Sequence, residues 1–188
     1  MKIIVTGHTK GIGKALAGTF SKYGHEVVGF SRSNGFDISS EEVRNKIIQD
    51  SVDADVFINN AYDAVGQTEL LKGMISAWET AYNKQLINIS SKLVYLEGDI
   101  SAFKEYIDQK KLQNEICNAR QTIAHPKVLN ILPGMVDTEM SRTVFDSPRM
   151  NPLDLSEFVY IIATRPRVRV SEIIVDVPEL NWKDIKLK

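Results

Sequence analysis

Short apolar runs recur along the chain and alternate with segments whose apolar residues have the spacing of an amphipathic helix. The runs are rich in β-branched residues and apolar on both faces, which is typical of buried parallel strands. The predicted strands are residues 2–5, 26–30, 55–59, 86–90, 127–132 and 172–177. The predicted helices are residues 12–23, a helix beginning at Ser39 or Ser40, and residues 68–84, 102–122 and 154–164.

This alternation predicts an α/β fold, in which right-handed crossovers build a doubly wound parallel sheet (a Rossmann fold) of six to seven strands. In such sheets a ligand binds outside the carboxyl ends of the strands, where the strand order reverses. Functional residues are therefore expected directly after the apolar runs. No repeat or linker marks a boundary, so we predict one domain over residues 1–188.

The charge, the cysteine and histidine content and the lengths of the apolar runs argue against several classes of function. The formal net charge of −1, with 25% charged residues, gives no electrostatic reason to expect a nucleic acid or a membrane as partner. The single cysteine, Cys117, excludes an internal disulfide, and the three histidines lack metal-site spacing, so no metal is expected. The apolar start is too short for a signal-peptide core, and no run approaches the roughly 20 residues of a membrane span. A soluble, cytoplasmic protein is the expectation.

The first strand is followed by the glycine-rich sequence TGHTKGIG, residues 6–13. Its glycines allow a tight turn, close approach of a pyrophosphate and close helix packing, while the next helix offers N–H donors and a positive dipole. We predict a dinucleotide-binding loop here; the alternative is an ordinary glycine-rich turn. The loop residues predicted to bind the cofactor are Gly7, Thr9, Lys10, Gly11, Ile12 and Gly13.

The second strand is followed by Ser31 and Arg32, where an acidic residue would bind the ribose diol of NAD. Arg32 and Lys10 together supply two cations and no carboxylate, which suits the 2′-phosphate of NADP(H). The alternative is that both are solvated surface charges. Asp37, followed by Ile38, could contact the adenine or could begin the next helix.

Further motifs follow the later strands in a fixed order. They are NNAY at 59–62, NISS at 88–91, a YxxxK formed by Tyr106 and Lys110, and PGMVDT at 133–138. A lone YxxxK arises easily by chance, but here it follows Ser91 by fifteen residues and precedes the PG loop. Together with TGxxxGxG, the set resembles the short-chain dehydrogenase/reductase family, specifically its compact single-domain branch.

The resemblance implies an NADP(H)-dependent oxidoreductase that interconverts a carbonyl and an alcohol on a small molecule. Tyr106 would be the general acid/base, Lys110 would lower the pKa of Tyr106 and bind the nicotinamide ribose, and Ser91 would donate to the substrate oxygen. The chemistry agrees, because hydride addition to a carbonyl makes an alkoxide that needs a proton and preplaced donors. The remaining residues implied in cofactor binding are Asn60, Ala61, Pro133, Gly134, Val136 and Thr138. The resemblance also implies a homodimer formed through helices 68–84 and 102–122.

The chain departs from the family pattern in four places. Only four residues separate Arg32 from Asp37, so a trimmed sheet edge is expected there. Tyr62 replaces a glycine, which puts a bulky ring near the cofactor. The active-site asparagine of the family has no evident counterpart; Glu69 or Leu70 would occupy its register. The substrate loop, near residues 139–152, is brief.

Two rival functions remain open. The first is an NADP(H)-binding sensor or regulatory protein without turnover, which the missing asparagine favours and the retained Ser91, Tyr106 and Lys110 oppose. The second is a sugar-nucleotide reductase or epimerase, against which the glycine spacing and the short C-terminal part weigh.

Overall fold

The computed structural model describes residues 1–96, 101–123, 125–165, 168–178 and 186–187. Within them the strands are β1 (Lys2–Thr6), β2 (Glu26–Phe30), β3 (Val56–Asn59), β4 (Gln85–Ile89), β5 (Lys127–Pro133), β6 (Phe145–Asp146), β7 (Glu172–Val175) and β8 (Lys186–Leu187). The α-helices are α1 (Gly11–Lys22), α2 (Glu41–Ser51), α3 (Gly66–Ala77), α4 (Lys104–Asn118), α5 (Glu139–Val144) and α6 (Pro152–Ala163). Short 3₁₀ turns are Arg32–Asn34, Lys92–Tyr95 and Ser101–Phe103.

Six strands form one parallel sheet in the order β2-β1-β3-β4-β5-β7, which confirms the predicted doubly wound fold. The strand order reverses at β1, which pairs with β2 on one side and with β3 on the other. The carboxyl ends of β1 and β3 therefore define the crevice in which ligands of such sheets bind. The strands β6 and β8 pair separately as a short antiparallel ribbon.

The trimmed edge lies directly after β2, as expected. The Arg32–Asn34 turn is short because the side chain of Asn34 folds back onto the end of β2. The Oδ1 atom of Asn34 accepts from the N–H of Ser31 at 2.8 Å, and its Nδ2 atom donates to the carbonyl of Gly29 at 2.9 Å. Gly35 then reverses the chain with a φ of 91°, a conformation that favours glycine.

Each face of the sheet carries its own core, because successive strand residues point to opposite sides. On one face, strand residues such as Ile87 and Leu129 pack with Leu16 and Phe20 of α1 and with Leu155 of α6. The other core joins the intervening strand residues to α2, α3 and α4. Its fully buried members include Ile4, Phe57, Leu86, Ile47, Leu70, Leu71 and Met74.

An amide ladder crosses the second face, one step beyond its apolar layer. The strand register places Asn59, Asn88, Asn130 and Glu172 side by side on β3, β4, β5 and β7. Each asparagine amide donates to the next residue in this order, at 3.0, 3.0 and 3.2 Å. A slip of one residue would move the buried amides into the apolar core of the other face, so the ladder fixes the register.

Two helices end earlier than their patterns predict. The helix expected over 68–84 ends at Ala77, because Trp78 turns the chain and buries its ring against Phe57. Asn83 then adopts a left-handed conformation, with a φ of 63°, two residues before β4. The helix expected over 102–122 is α4, Lys104–Asn118. The start of α2 agrees with the prediction: the N–H of Val43 donates to Ser40 Oγ at 3.4 Å.

The two ends of the short loop near 139–152 are joined by backbone hydrogen bonds. The N–H of Asp137 donates to the carbonyl of Met150 at 2.8 Å, and the N–H of Met150 donates to the carbonyl of Met135 at 2.7 Å. Within the described part of the chain, no helix has both the length and the apolar character needed to cross a membrane. The same residues contain no group of three His, Cys, Asp or Glu side chains placed to hold a metal ion.

Candidate active site

The crevice at the switch point is built from the ends of β1 and β3. The Oγ1 atom of Thr6 accepts from the N–H groups of Asn60 and Ala61, at 2.9 and 3.0 Å. In return, the side-chain amide of Asn60 donates to the carbonyl of Thr6 at 3.0 Å. These bonds hold the predicted cofactor residues Asn60 and Ala61 directly against Gly7.

The glycine loop is so closely packed that side chains are excluded from it. A Cβ on Gly13 would lie 2.2 Å from the carbonyl oxygen of Gly7, and one on Gly11 would lie 3.1 Å from the Thr138 methyl group. Gly7 and Gly11 also have positive φ values, 71° and 52°. The predicted residues of the glycine loop and Thr138 of the PG loop are thus brought together around the N-terminus of α1.

The first turn of α1 has backbone N–H groups that no side chain of the described residues caps. Its N-cap residue is Lys10, and no described side chain caps the first turn, which also contains no acidic residue. The first N–H groups of a helix need acceptors, and an uncapped N-terminus attracts anions. The donor set therefore fits a pyrophosphate between the glycine loop and the Thr138 loop.

Lys10 and Arg32, the expected 2′-phosphate ligands, are both exposed. The ammonium of Lys10 lies 2.9 Å from Glu139 Oε2, in an ion pair whose side chains are 79% and 77% exposed. Such an exposed pair is weak, so it does not withhold Lys10 from a phosphate. Beside Arg32, the hydroxyls of Ser31 and Ser33 lie 2.9 Å apart.

Asp37 and Ile38 lie in the loop that leads into α2. Asp37 Oδ1 accepts from the N–H of Ser39 at 3.1 Å, and hydrogen bonds from Ser39 hold the pKa of Asp37 below its ordinary value. Ile38 buries its side chain in the core of the second face, and its carbonyl accepts from Arg44 at 2.7 Å. Asp37 therefore belongs to the turn that leads to Ser40, the residue that caps α2.

The three predicted catalytic residues meet at the carboxyl end of β4. Ser91 follows the strand and begins the Lys92–Tyr95 turn, where Ser91 Oγ accepts from the N–H of Leu93 at 3.2 Å. Tyr106, in the first turn of α4, lies close enough to Ser91 for the Ser91 side chain to lower the pKa of the phenol, against the larger effect of burial. A small apolar cluster surrounds this hydroxyl pair; it consists of Leu93, Ile107, Met135, Leu96, Phe103 and the Tyr106 ring.

Lys110 lies one turn after Tyr106 and is almost completely buried. Its ammonium donates to Gln67 Oε1 and to the carbonyl of Ile89, both at 2.8 Å, and more weakly to Gln113 Oε1 at 3.4 Å. All three acceptors are uncharged, so burial is not offset by a carboxylate. Burial lowers the pKa of Lys110 to about 7.

Gln67 was missed in the sequence, where Glu69 or Leu70 was expected at the position of the family's asparagine. Of these two residues, Leu70 is fully buried in the apolar core and Glu69 pairs with Lys72 at 2.8 Å. Gln67 reaches Lys110 instead. Its amide donates to the carbonyls of Asn59 and Ile89, at 3.0 and 3.1 Å, so it bridges β3 and β4 beside the amide ladder. The only signal in the sequence is an amide in the first turn of α3.

The expected effect of Lys110 on Tyr106 does not appear in this geometry. Burial raises the pKa of Tyr106 above its ordinary value, and the Ser91 side chain opposes this only in part. The Lys110 ammonium faces the tyrosine ring, 5.6 Å from its centroid. Tyr106 is therefore a protonated hydroxyl at neutral pH.

The PG loop follows β5 with its residues packed against the end of β7. The N–H of Gly134 donates to the carbonyl of Val175 at 2.7 Å, and a Cβ on Gly134 would lie 2.0 Å from Asp176 Oδ1. Asp176 in turn pairs with Lys92, the residue after Ser91. Pro133 and Val136 are buried, so the loop is fixed at the same edge as Ser91.

Comparison of the structure with known ones shows the same fold in short-chain dehydrogenases. A short-chain dehydrogenase from Burkholderia cenocepacia in complex with NADP is 20% identical, with a TM-score of 0.74 over 92% of this chain and 86% of that one. A 3-ketoacyl-(acyl-carrier-protein) reductase from Brucella melitensis complexed with NADH is 16% identical, with a TM-score of 0.74 over 94% and 96%. A 3-alpha-hydroxysteroid dehydrogenase from a Pseudomonas species complexed with NADH is 18% identical, with a TM-score of 0.68 over 94% and 95%. No family model and no curated protein matches the chain.

Proposed function

We propose that the protein is an NADP(H)-dependent oxidoreductase of the short-chain dehydrogenase/reductase type, which reduces a carbonyl on a small molecule to an alcohol. The observation that carries this proposal is the pair of hydroxyl side chains, Ser91 and Tyr106, at the carboxyl end of β4. It lies beside the buried Lys110, at the sheet edge where the uncapped α1 N-terminus offers phosphate donors. Structural neighbours with this fold include complexes with NADP and with NADH.

The two hydroxyls have complementary roles in this proposal. NADPH, when bound, would supply the hydride. Ser91 donates a hydrogen bond to the substrate oxygen, on which negative charge develops, and Tyr106 transfers its proton to the same oxygen. The apolar cluster against which Tyr106 packs shields this transfer from water.

The raised pKa of Tyr106 favours the reductive direction. A general acid must carry its proton at the working pH, and burial keeps the Tyr106 hydroxyl protonated. The reverse reaction needs the phenolate as a base, and the Lys110 ammonium, with a pKa of about 7, stabilises a phenolate only where it is still charged.

The test is a panel of small carbonyl compounds, with oxidation of NADPH followed by absorbance. Tyr106→Phe removes one hydroxyl at nearly constant volume, so turnover should fall by about 10²–10⁴-fold, the usual contribution of general acid catalysis. The matched control is Tyr82→Phe, because Tyr82 is 73% exposed and contacts His125, away from the site. Full activity of Tyr106→Phe on a confirmed substrate would refute the assignment.

A second candidate is an NADP(H)-binding sensor without turnover. The specific observation in its favour is that Lys110 uses all three of its N–H donors on protein acceptors and presents none to the crevice. This candidate takes precedence if NADPH binds tightly while no compound of the panel, with either NADPH or NADP⁺, gives turnover.

A further inference from the structure

The ammonium of Lys110 is held from one side by the protein interior. Gln67, Ile89 and Gln113 accept its three hydrogen bonds, and the side chain belongs to a residue that is only 3% exposed. A ligand hydroxyl can therefore bind Lys110 only by replacing one of these acceptors or by approaching from the remaining side.

Two aromatic rings occupy that remaining side. The Lys110 Nζ atom lies 5.8 Å from the centroid of the Tyr62 ring and 5.6 Å from that of Tyr106. The two rings meet edge to face, with centroids 5.0 Å apart and an interplanar angle of 61°. Both distances to Nζ are within the range of a cation–π contact.

Tyr62 is the member of this trio that faces the solvent, since its residue is 37% exposed. It directly follows Asn60 and Ala61, which pack against Gly7 of the glycine loop. A half-exposed ring therefore lies beside Lys110, on the segment that packs against the glycine loop.

We propose that Tyr62 is a positioning residue that covers Lys110, keeps the ammonium on its inner acceptors, and must swing aside before a ligand hydroxyl can bind there. The covering of Lys110 by the Tyr62 ring does not depend on any ligand. The identity of the ligand, a nicotinamide ribose, rests on the proposed function. Binding that requires a minor open state loses apparent affinity in proportion to the population of that state. A cation–π contact favours the closed state by a factor of about 3 to 30.

The cover is tested first without any ligand, by trace acetylation with acetic anhydride and mass spectrometry of the lysine peptides. In Tyr62→Gly, Lys110 should react at least about threefold faster than in the wild type, relative to the exposed Lys72 and Lys104. Tyr62→Phe keeps the ring and should react within about twofold of the wild type. Equal Lys110 rates in the wild type and Tyr62→Gly would overturn the proposal.

Buried Cys117, on the same helix, controls for general loosening of α4. Its reaction rate with a thiol reagent should not change in Tyr62→Gly. A parallel acceleration of Cys117 and Lys110 would mean that Tyr62 only supports packing, and would also overturn the proposal.

The second test measures NADPH binding by fluorescence titration. Tyr62→Gly should bind NADPH about 3- to 30-fold more tightly than the wild type, while Tyr62→Phe should bind it equally well. Weaker binding by Tyr62→Gly would show that the ring supports the ligand and does not exclude it, which contradicts the proposal. If neither protein binds NADPH or NADH, the proposed function fails, and the acetylation result still decides whether Tyr62 covers Lys110.

Discussion

The side-chain carbonyl of Gln67 accepts a hydrogen bond from the ammonium of Lys110, with 2.8 Å between Oε1 and Nζ. The acceptor is neutral, so it satisfies the geometry of the ammonium but does little to hold its charge inside the protein. The pKa of about 7 for Lys110 follows from this combination of burial and uncharged acceptors. Lys110 therefore changes its charge within the physiological pH range.

Changing Gln67 to glutamate should raise the pKa of Lys110, because a carboxylate at the same position favours the charged amine. The midpoint of Lys110 acetylation against pH should rise by at least about one unit in Gln67→Glu. An unchanged midpoint would show that Gln67 does not control the charge of Lys110.

Gln67→Leu should destabilise the fold, because it leaves a buried ammonium without one of its acceptors. The expected loss is about 1–3 kcal/mol in the free energy of unfolding, measured by urea denaturation at neutral pH. The control is Gln121→Leu on the exposed turn after α4, which should change the free energy by less than about 0.5 kcal/mol. Equal effects of the two changes would contradict the structural role of Gln67.

Lys110 should also make stability depend on pH. Its folded-state pKa, about 7, lies below the ordinary value of 10.5, so the unfolded chain binds more protons between these limits. Stability must then rise with pH in this interval. The free energy of unfolding of the wild type should therefore rise relative to that of Lys110→Met from about pH 7 to about pH 10. Urea denaturation of both proteins at matched pH values checks this; parallel curves would contradict a buried, titrating Lys110.

The raised pKa values of Cys117 and Tyr106 act in the opposite direction at alkaline pH. Both groups are present in the wild type and in Lys110→Met. Their contribution is largely removed when the two curves are subtracted, so the comparison isolates Lys110.

NADPH should be preferred to NADH because of Lys10 and Arg32. Loss of one charged phosphate contact costs about 1.5–3 kcal/mol, so Arg32→Ala and Lys10→Ala should each weaken NADPH binding by roughly tenfold or more. Their NADH affinities should stay within about twofold of the wild type. Lys14→Ala, which changes an exposed cation on the same helix as the glycine loop, is the control and should affect neither cofactor. Equal losses for NADPH and NADH would rule out a 2′-phosphate site at Lys10 and Arg32.

Two glycines of α1 should respond oppositely to the same substitution. Gly13→Ala brings a Cβ to within 2.2 Å of the Gly7 carbonyl, which is backbone and cannot move aside, so a loss of about 1–3 kcal/mol is expected. Gly18 is exposed, and a Cβ there meets nothing within 4 Å. Gly18→Ala should therefore stabilise the protein by about 0.5–1 kcal/mol. Thermal or urea denaturation measures both; a stable Gly13→Ala protein would contradict the close packing of the loop.

The sequence by itself determined the six strands of the parallel sheet, the α/β fold and the trimmed edge after β2, but not the short strands β6 and β8. These features depend on local chemistry, because apolar runs, helical spacing and the Ser31–Gly35 turn each act over a few residues. The order of the motifs, through the resemblance to the short-chain dehydrogenase/reductase family, also grouped Ser91, Tyr106 and Lys110 in one predicted site.

Only the tertiary structure decided what surrounds Lys110. Gln67 lies 43 residues earlier in the chain, and no local pattern shows that its side chain, and not that of Glu69 or Leu70, contacts the Lys110 ammonium. The same holds for the Tyr62 ring and for the amide ladder, whose partners come from separate strands. The pKa of Tyr106 rises although a lysine is one turn away, because desolvation depends on everything packed around the hydroxyl. Spacing along the chain determines which residues can come into contact, whereas burial determines the protonation state that each titratable residue has in the folded protein.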